Sequence, residues 1–224
     1  MKNSVILFDI NETVLSLSVL RPKFASLFGD EFYTDTWFSM LLHASTVSMT
    51  TGVKTDFATL AKITLQALAA RYKIKLSDVQ VADVLGGFSS LPAHSDIKPA
   101  LSKLREQGFR TVAFSNSSLG LIAEQIKNAG LNDYFSDIVS VEEAGTFKPS
   151  ERAYQFVSAK LGKPSGQLRL VAAHDWDTHG ALCAGLKAAY IDRSGAPYNP
   201  LYKKPEIFGN SMDEVVNQII SNDN

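Results

Sequence analysis

The chain has 224 residues, 45% of them hydrophobic and 20% charged, with a formal net charge of -1. Such values describe a globular protein with a sizeable core and exclude a disordered or collagen-like chain. The absence of a Lys/Arg run argues against a nucleic-acid partner, and no apolar run reaches the length of a membrane span. The amino terminus does not carry the pattern of a secretory leader. The expected setting is therefore cytoplasmic, with a small-molecule substrate and neither nucleic acid nor membrane as partner. Cys183, the lone cysteine, has no intrachain disulfide partner, and its Ala-rich surroundings predict a packing role.

Taken in order, Val5-Ile6-Leu7-Phe8 is an apolar run that stops at Asp9, the pattern of a strand buried on both faces. From about Leu15 to Leu91 the period becomes helical. A helix around Phe32, Trp37, Leu41 and Leu42 ends before Gly52, and Phe57, Leu60, Ala61, Thr64 and Leu68 form one apolar stripe on a helix with Thr55 as its expected N-cap. Ser77-Asp78-Val79-Gln80 has the form of a capping box. After Pro92 strands and helices alternate: a helix over 96–107 stopped by Gly108, a strand at Thr111–Phe114, a helix over 119–129, a strand at Ile138–Val141, and a helix over 151–161 with Pro149 suited to its first turn. A strand at Leu168–Ala172, a helix over 178–184, a strand at Ala188–Ile191 and a last helix opened by Ser211 complete the chain. This alternation predicts an α/β fold: a Rossmann-like, mostly parallel sheet core formed by residues 1–14 and 92–224, with residues 15–91 inserted as a helical cap.

In such a sheet the ligand crevice lies at the carboxyl ends of the strands. Asp9, Ser115-Asn116, Lys148 and Asp177 all follow predicted strands and are expected to gather there. A carboxylate in that position can attack an electrophilic carbon or phosphorus and form a covalent ester or acyl phosphate. A nearby lysine keeps it ionised, and Ser115 and Asn116 offer donors to an anionic substrate. Each residue also has an ordinary structural role open to it: Asp9, Asn11 or Asp177 as helix caps, Ser115-Asn116 as turn formers, Lys148 as a solvated surface lysine.

Together these motifs resemble the haloacid dehalogenase superfamily of aspartate-nucleophile hydrolases. The signatures stand in order as Asp9 with Thr13, Ser115-Asn116, Lys148-Pro149, and Asp177 followed by Gly180-Ala181 and Ala184-Gly185. Phe147-Lys148-Pro149, with Tyr154 six residues after the lysine, and Trp176-Asp177 are most similar to the type II 2-haloacid dehalogenases. The resemblance implies a metal-independent hydrolase without a cofactor that works through an aspartyl ester, with short 2-halocarboxylic acids as substrates. It implies Asp9 as nucleophile, Thr13 and Lys148 positioning it, Ser115 and Asn116 binding the substrate carboxylate, and Tyr154 and Asp177 lining or supporting the site. It also implies a possible homodimer, for which Phe32 or Trp37 would supply contacts if they do not pack within the cap.

Four positions depart from the type II pattern. Asn11 stands where a tyrosine is usual, Phe38 beside Trp37 where the halide-binding arginine is usual, and Ala172 and His174 replace a serine and an asparagine. Asn11 and Phe38 are still expected against the substrate. His174 is expected to activate water or donate to a leaving group, unless Asp175 or a backbone carbonyl satisfies it. Two alternatives remain. A Mg2+-dependent phosphatase of the same superfamily needs a second acid at Asn11 and a paired acid near Asp177, where Ala173 stands. A non-catalytic binding protein on this fold would need none of these buried charges.

Overall fold

In a computed structural model, residues 4–223 are described. Positions 1–3 and 224, the outermost residues of the expected core segments, lie outside them. The first apolar run forms β1 (Val5–Phe8), every residue of it buried. It is followed by α1 (Arg21–Phe28), α2 (Tyr33–Thr51), α3 (Phe57–Arg71) and α4 (Asp78–Gly86), then α5 (Ile97–Glu106), β2 (Arg110–Ser115), α6 (Leu119–Asn128), β3 (Asp137–Ser140) and α7 (Glu151–Leu161). The chain finishes with β4 (Leu168–Ala172), α8 (Asp175–Cys183), β5 (Lys187–Ile191), β6 (Ile207–Gly209) and α9 (Met212–Asn222).

The strands form one sheet in the order β3-β2-β1-β4-β5-β6, with every pairing parallel. β1 is central, with β2 on one side and β4 on the other. After β1 the chain builds outward through β2 and β3, then crosses back to β4 and builds the other way. This reversal opens a crevice at the carboxyl ends of β1, β2 and β4. Asp9 leaves β1 at that point, and its backbone N–H still bonds the Val171 carbonyl at 3.0 Å.

The α3 stripe is buried as its period predicts, with Phe57, Leu60, Ala61, Thr64 and Leu68 all inside. Trp37 is fully buried and its indole N–H donates to the Ala61 carbonyl at 3.0 Å, so α2 and α3 are fastened by a polar bond as well as by packing. Phe32, by contrast, is 71% exposed. The helix α2 ends at Gly52, whose φ of 75° is readily adopted only without a β-carbon. The capping box of Ser77 and Gln80 is formed.

Several expectations are corrected. Asp56, not Thr55, caps α3, accepting from the Thr59 N–H, because a carboxylate one residue later reaches the first-turn donors. Pro149 lies before the N-cap Ser150 rather than within α7. The helix expected over 178–184 begins at Asp175: two carboxylates in its first turn suit the positive end of the helix dipole. Cys183 is exposed rather than packed in the core. The short edge strand β6, between Pro205 and α9, was not anticipated.

Candidate active site

Thr13, Lys148 and His174 converge on the Asp9 carboxylate, which is buried. Its Oδ1 accepts from Lys148 Nζ at 2.8 Å and its Oδ2 from Thr13 Oγ1 at 2.8 Å. The Thr13 hydroxyl in turn accepts from the Ala173 N–H at 2.8 Å, fixing its proton toward Asp9 and tying the loop after β1 to the loop after β4. Lys148 is 1% exposed and also donates to Asp177 Oδ2 at 2.5 Å and to the Phe114 carbonyl at 3.3 Å. Asp177 takes a further bond from the Tyr154 hydroxyl at 2.6 Å. The backbone amide of Lys148 donates to Asn116 Oδ1 at 2.9 Å, which holds the lysine segment against the turn after β2.

The close approach of α8 to this cluster depends on Gly180. A β-carbon there would lie 2.6 Å from Pro149 Cβ and 2.7 Å from the Tyr154 hydroxyl.

Burial raises the free energy of the ionised Asp9, but the charges and hydrogen bonds of Lys148 and His174 outweigh it and hold the carboxyl well below the usual carboxylate range. Lys148 is held above its ordinary value, since Asp177 and Asp9 overcome the burial penalty on its charge. Burial pushes Asp177 up, with Asp9 adding to this against the pull of Lys148. Burial and the same carboxylate push the Tyr154 hydroxyl well above its ordinary value, so it remains a donor.

His174 closes the other side. Its Nδ1 lies 3.3 Å from Asp9 Oδ2 and its Nε2 3.1 Å from Glu12 Oε2. Burial opposes its charge, yet the bonds to Asp9 and Glu12 hold the imidazole pKa up to about 10. The ring is a cation at neutral pH, stacked on Trp176 at 5.2 Å and tilted against Phe38 at 6.2 Å between centroids. The partner considered for it from the sequence, Asp175, instead accepts from the backbone amides of Trp176 and Asn199.

Of the expected site residues, Asp9, Thr13, Lys148, Asp177, Tyr154 and His174 form one hydrogen-bonded cluster, with Asn116 attached through the Lys148 backbone. Ser115 is buried and accepts from the Ser117 N–H at 3.2 Å within its own turn. Asn11 bonds Ser117 and Gln125 at 3.2 and 3.1 Å, and Gln125 continues to the Phe88 carbonyl at 2.8 Å. Phe38 covers His174. Glu12 had not been singled out, although it lies between Asp9 and Thr13 in sequence. What hid it is its backbone, a left-handed turn with φ of 64° that glutamate does not advertise.

Beside His174 lies a cavity of about 660 Å³. Its lining includes Glu12, Phe38, His174 and Trp176, with Arg21 and Asp35 from the helical segment and His94 and Arg193 around it. Arg21 pairs with Asp35, and Arg193 with Asp96.

Asp9 and Asp177 share the Lys148 ammonium, Asn11 supplies no second charge, and among the described residues no group of three or more His, Cys, Asp or Glu is arranged to hold a metal ion. No helix among them is long and apolar enough to cross a membrane.

The chain is similar to known proteins over much of its length. The chain is 29% identical over 124 residues to haloacetate dehalogenase H-2 of a Moraxella species, an alignment spanning 55% of each chain. It is 23% identical over 215 residues to the (S)-2-haloacid dehalogenase of Pseudomonas fluorescens, covering 96% of this chain and 92% of that one. The L-2-haloacid dehalogenase of Xanthobacter autotrophicus superposes with a TM-score of 0.89 at 19% identity, covering 99% of both chains, and shares the fold. The sequence model of the haloacid dehalogenase-like hydrolases matches residues 4–171, a stretch that carries the Asp9, Ser115-Asn116 and Lys148 segments. The chain belongs to that family of hydrolases.

Proposed function

We propose that the protein is a metal-independent hydrolase acting on short 2-halocarboxylic acids through an ester on Asp9. The observation that carries this reading is the state of Asp9: a buried, ionised carboxylate at the sheet's switch point, oriented at one oxygen by Lys148 and at the other by Thr13. A carboxylate stripped of water and held in one orientation is an effective nucleophile toward carbon. Attack on the α-carbon forms the Cα–O bond as the carbon–halogen bond breaks, and the halide departs with the bonding pair. Water then adds to the Asp9 acyl carbon, and the acyl C–O bond breaks to release the 2-hydroxy acid.

Ser115 and Asn116 serve the substrate carboxylate in this reading, and Asp177 with Tyr154 keeps Lys148 aimed at Asp9. Phe38 stands in place of the usual cap arginine, and the His174 imidazolium is a cation of the cavity lining, together with Arg21 and Arg193. The names of the relatives support the substrate class, and the Xanthobacter enzyme has also been solved with chloropropionic acid covalently bound. Halide release from chloroacetate and L-2-chloropropionate, with and without chelator, tests the proposal. Release unchanged by chelator is expected; no release, together with Mg2+-dependent hydrolysis of a phosphate ester, overturns it.

A further inference from the structure

The imidazole of His174 spans two carboxylates with different surroundings. Asp9, on Nδ1, is the proposed nucleophile and loses its charge when it becomes an ester. Glu12, on Nε2, lines the cavity and is not alkylated in that reading. Glu12 reaches that position only by holding a left-handed backbone, φ 64°, which a β-carbon disfavours. Unusual backbone held in place beside reacting groups is where structures store functional constraint. Phe38 and Trp176 pack against the ring, whose two nitrogens are its only polar atoms.

From this geometry we propose that Glu12 is a positioning residue for His174, holding the Nε2–H so that Nδ1 serves as the base for hydrolysis of the Asp9 ester. The inference rests on the ester reading above. In the free enzyme both nitrogens carry protons, one donated to each carboxylate. Alkylation neutralises Asp9 and removes one of the two charges that hold the imidazolium, so the Nδ1 proton leaves to solvent through the cavity along with the halide. Glu12 keeps the Nε2–H, which leaves the Nδ1 lone pair facing the ester, the logic of a carboxylate that fixes the tautomer of a catalytic histidine.

Water then adds to the acyl carbon as Nδ1 takes its proton. The acyl C–O bond breaks, and the departing alkoxide takes that proton to give the hydroxy acid. The regenerated Asp9 carboxylic acid passes its own proton to Nδ1, restoring the imidazolium and the carboxylate. One halide and one proton are released per turnover, as the overall hydrolysis requires. The other charged groups around the cavity, Arg21 with Asp35 and Arg193 with Asp96, are already paired. His94, whose pKa is lowered by burial and by Arg193, is not a competing cation.

Two variants test this. Glu12→Gln keeps the shape without the charge, and Glu12→Gly removes the side chain while relieving the backbone, so the fold survives in at least one. With L-2-chloropropionate in rapid-quench experiments, both are expected to form the ester with release of about one halide per active site. The Asp9 ester, seen by mass spectrometry, is then expected to decay about 100-fold more slowly. In both variants the His174 titration, followed by NMR of the free protein, is expected at lower pH than in wild type. Unchanged ester decay in both variants overturns the role of Glu12. If wild type forms no ester at all, the ester reading falls instead, and the NMR titration alone decides whether Glu12 governs His174: an unmoved titration overturns that as well.

Discussion

The two flanks of Asp9 are built differently. On the Lys148 flank every partner is buried, the lysine and Asp177 side chains being 1% and 0% exposed, with contacts of 2.5–2.8 Å. On the His174 flank the imidazole is 15% exposed, its contacts are 3.1–3.3 Å, and it borders a cavity. Coulombic attraction strengthens as water is excluded, so the first flank fixes the charge of the carboxylate. The second, with looser contacts and access to the cavity, is where charge can change during a reaction. A single residue thus has one side that must not move and another that must.

The largest test of the contrast is Asp9→Asn, which removes the group the flanks share. Turnover of any substrate is expected to fall about 10⁴-fold or more, measured by halide release, and an unchanged rate would mean that Asp9 is not the nucleophile. Next is Lys148→Met. Removing one member of a buried ion cluster costs about 3–5 kcal/mol, read as a lowered denaturation midpoint, and the pH-rate profile should show Asp9 titrating closer to the ordinary carboxylate value. Gly180→Ala probes the same flank from behind. Its methyl group must displace Tyr154 or Pro149, and overpacking of this kind costs about 1–3 kcal/mol, measurable by urea unfolding.

The effect on the other flank depends on pH. Because folding raises the His174 pKa from 6.5 to about 10, its contribution to stability is complete below pH 6.5 and is lost as the pH rises toward 10. The melting-temperature gap between wild type and His174→Gln should therefore shrink across that window. Asp9, whose pKa folding lowers, contributes in the opposite sense: its stabilisation is present above the unfolded carboxylate value and is lost as the pH falls. A gap for His174→Gln that grew between pH 6.5 and 10 would contradict the charged imidazole.

Much of this was legible in the chain because the core strands are short apolar runs that end abruptly in polar residues. Val5–Phe8 stopping at Asp9, and Leu168–Ala172 stopping before His174, mark both the sheet and its reactive edge. β6 was not legible, since three residues between a proline and a helix carry no period, and Phe208 at its centre is 46% exposed. The start of α8 was misplaced because Trp176 and Asp177 resemble a loop until their carboxylate neighbourhood is seen as a helix amino terminus. Asn11 was legible as a polar residue near Asp9. That its partner is Gln125 follows only from the sheet order, which brings the turn after β1 beside α6. Glu12 was hidden for a similar reason: its partner His174 is 162 positions away, and no pattern in sequence encodes a left-handed glutamate.

One detail of the backbone bears on how the helical segment 17–90 is attached. The chain leaves the core at Leu15 and Ser16 and returns at Pro92, Ala93 and His94, and the two passages are bonded to each other: Ser16 N–H to the Pro92 carbonyl at 2.8 Å, His94 N–H to the Val14 carbonyl at 3.0 Å, with Leu15 bridged to Ala93. To the sheet, everything between these points is equivalent to the tip of a hairpin. Loop-closure entropy rises only slowly with loop length, so lengthening or shortening the helices would change the closure cost little. The stem, rather than the helices, is the unit of attachment in mechanical terms: a narrow joint beyond which the helical segment can be altered without rebuilding the sheet that holds Asp9.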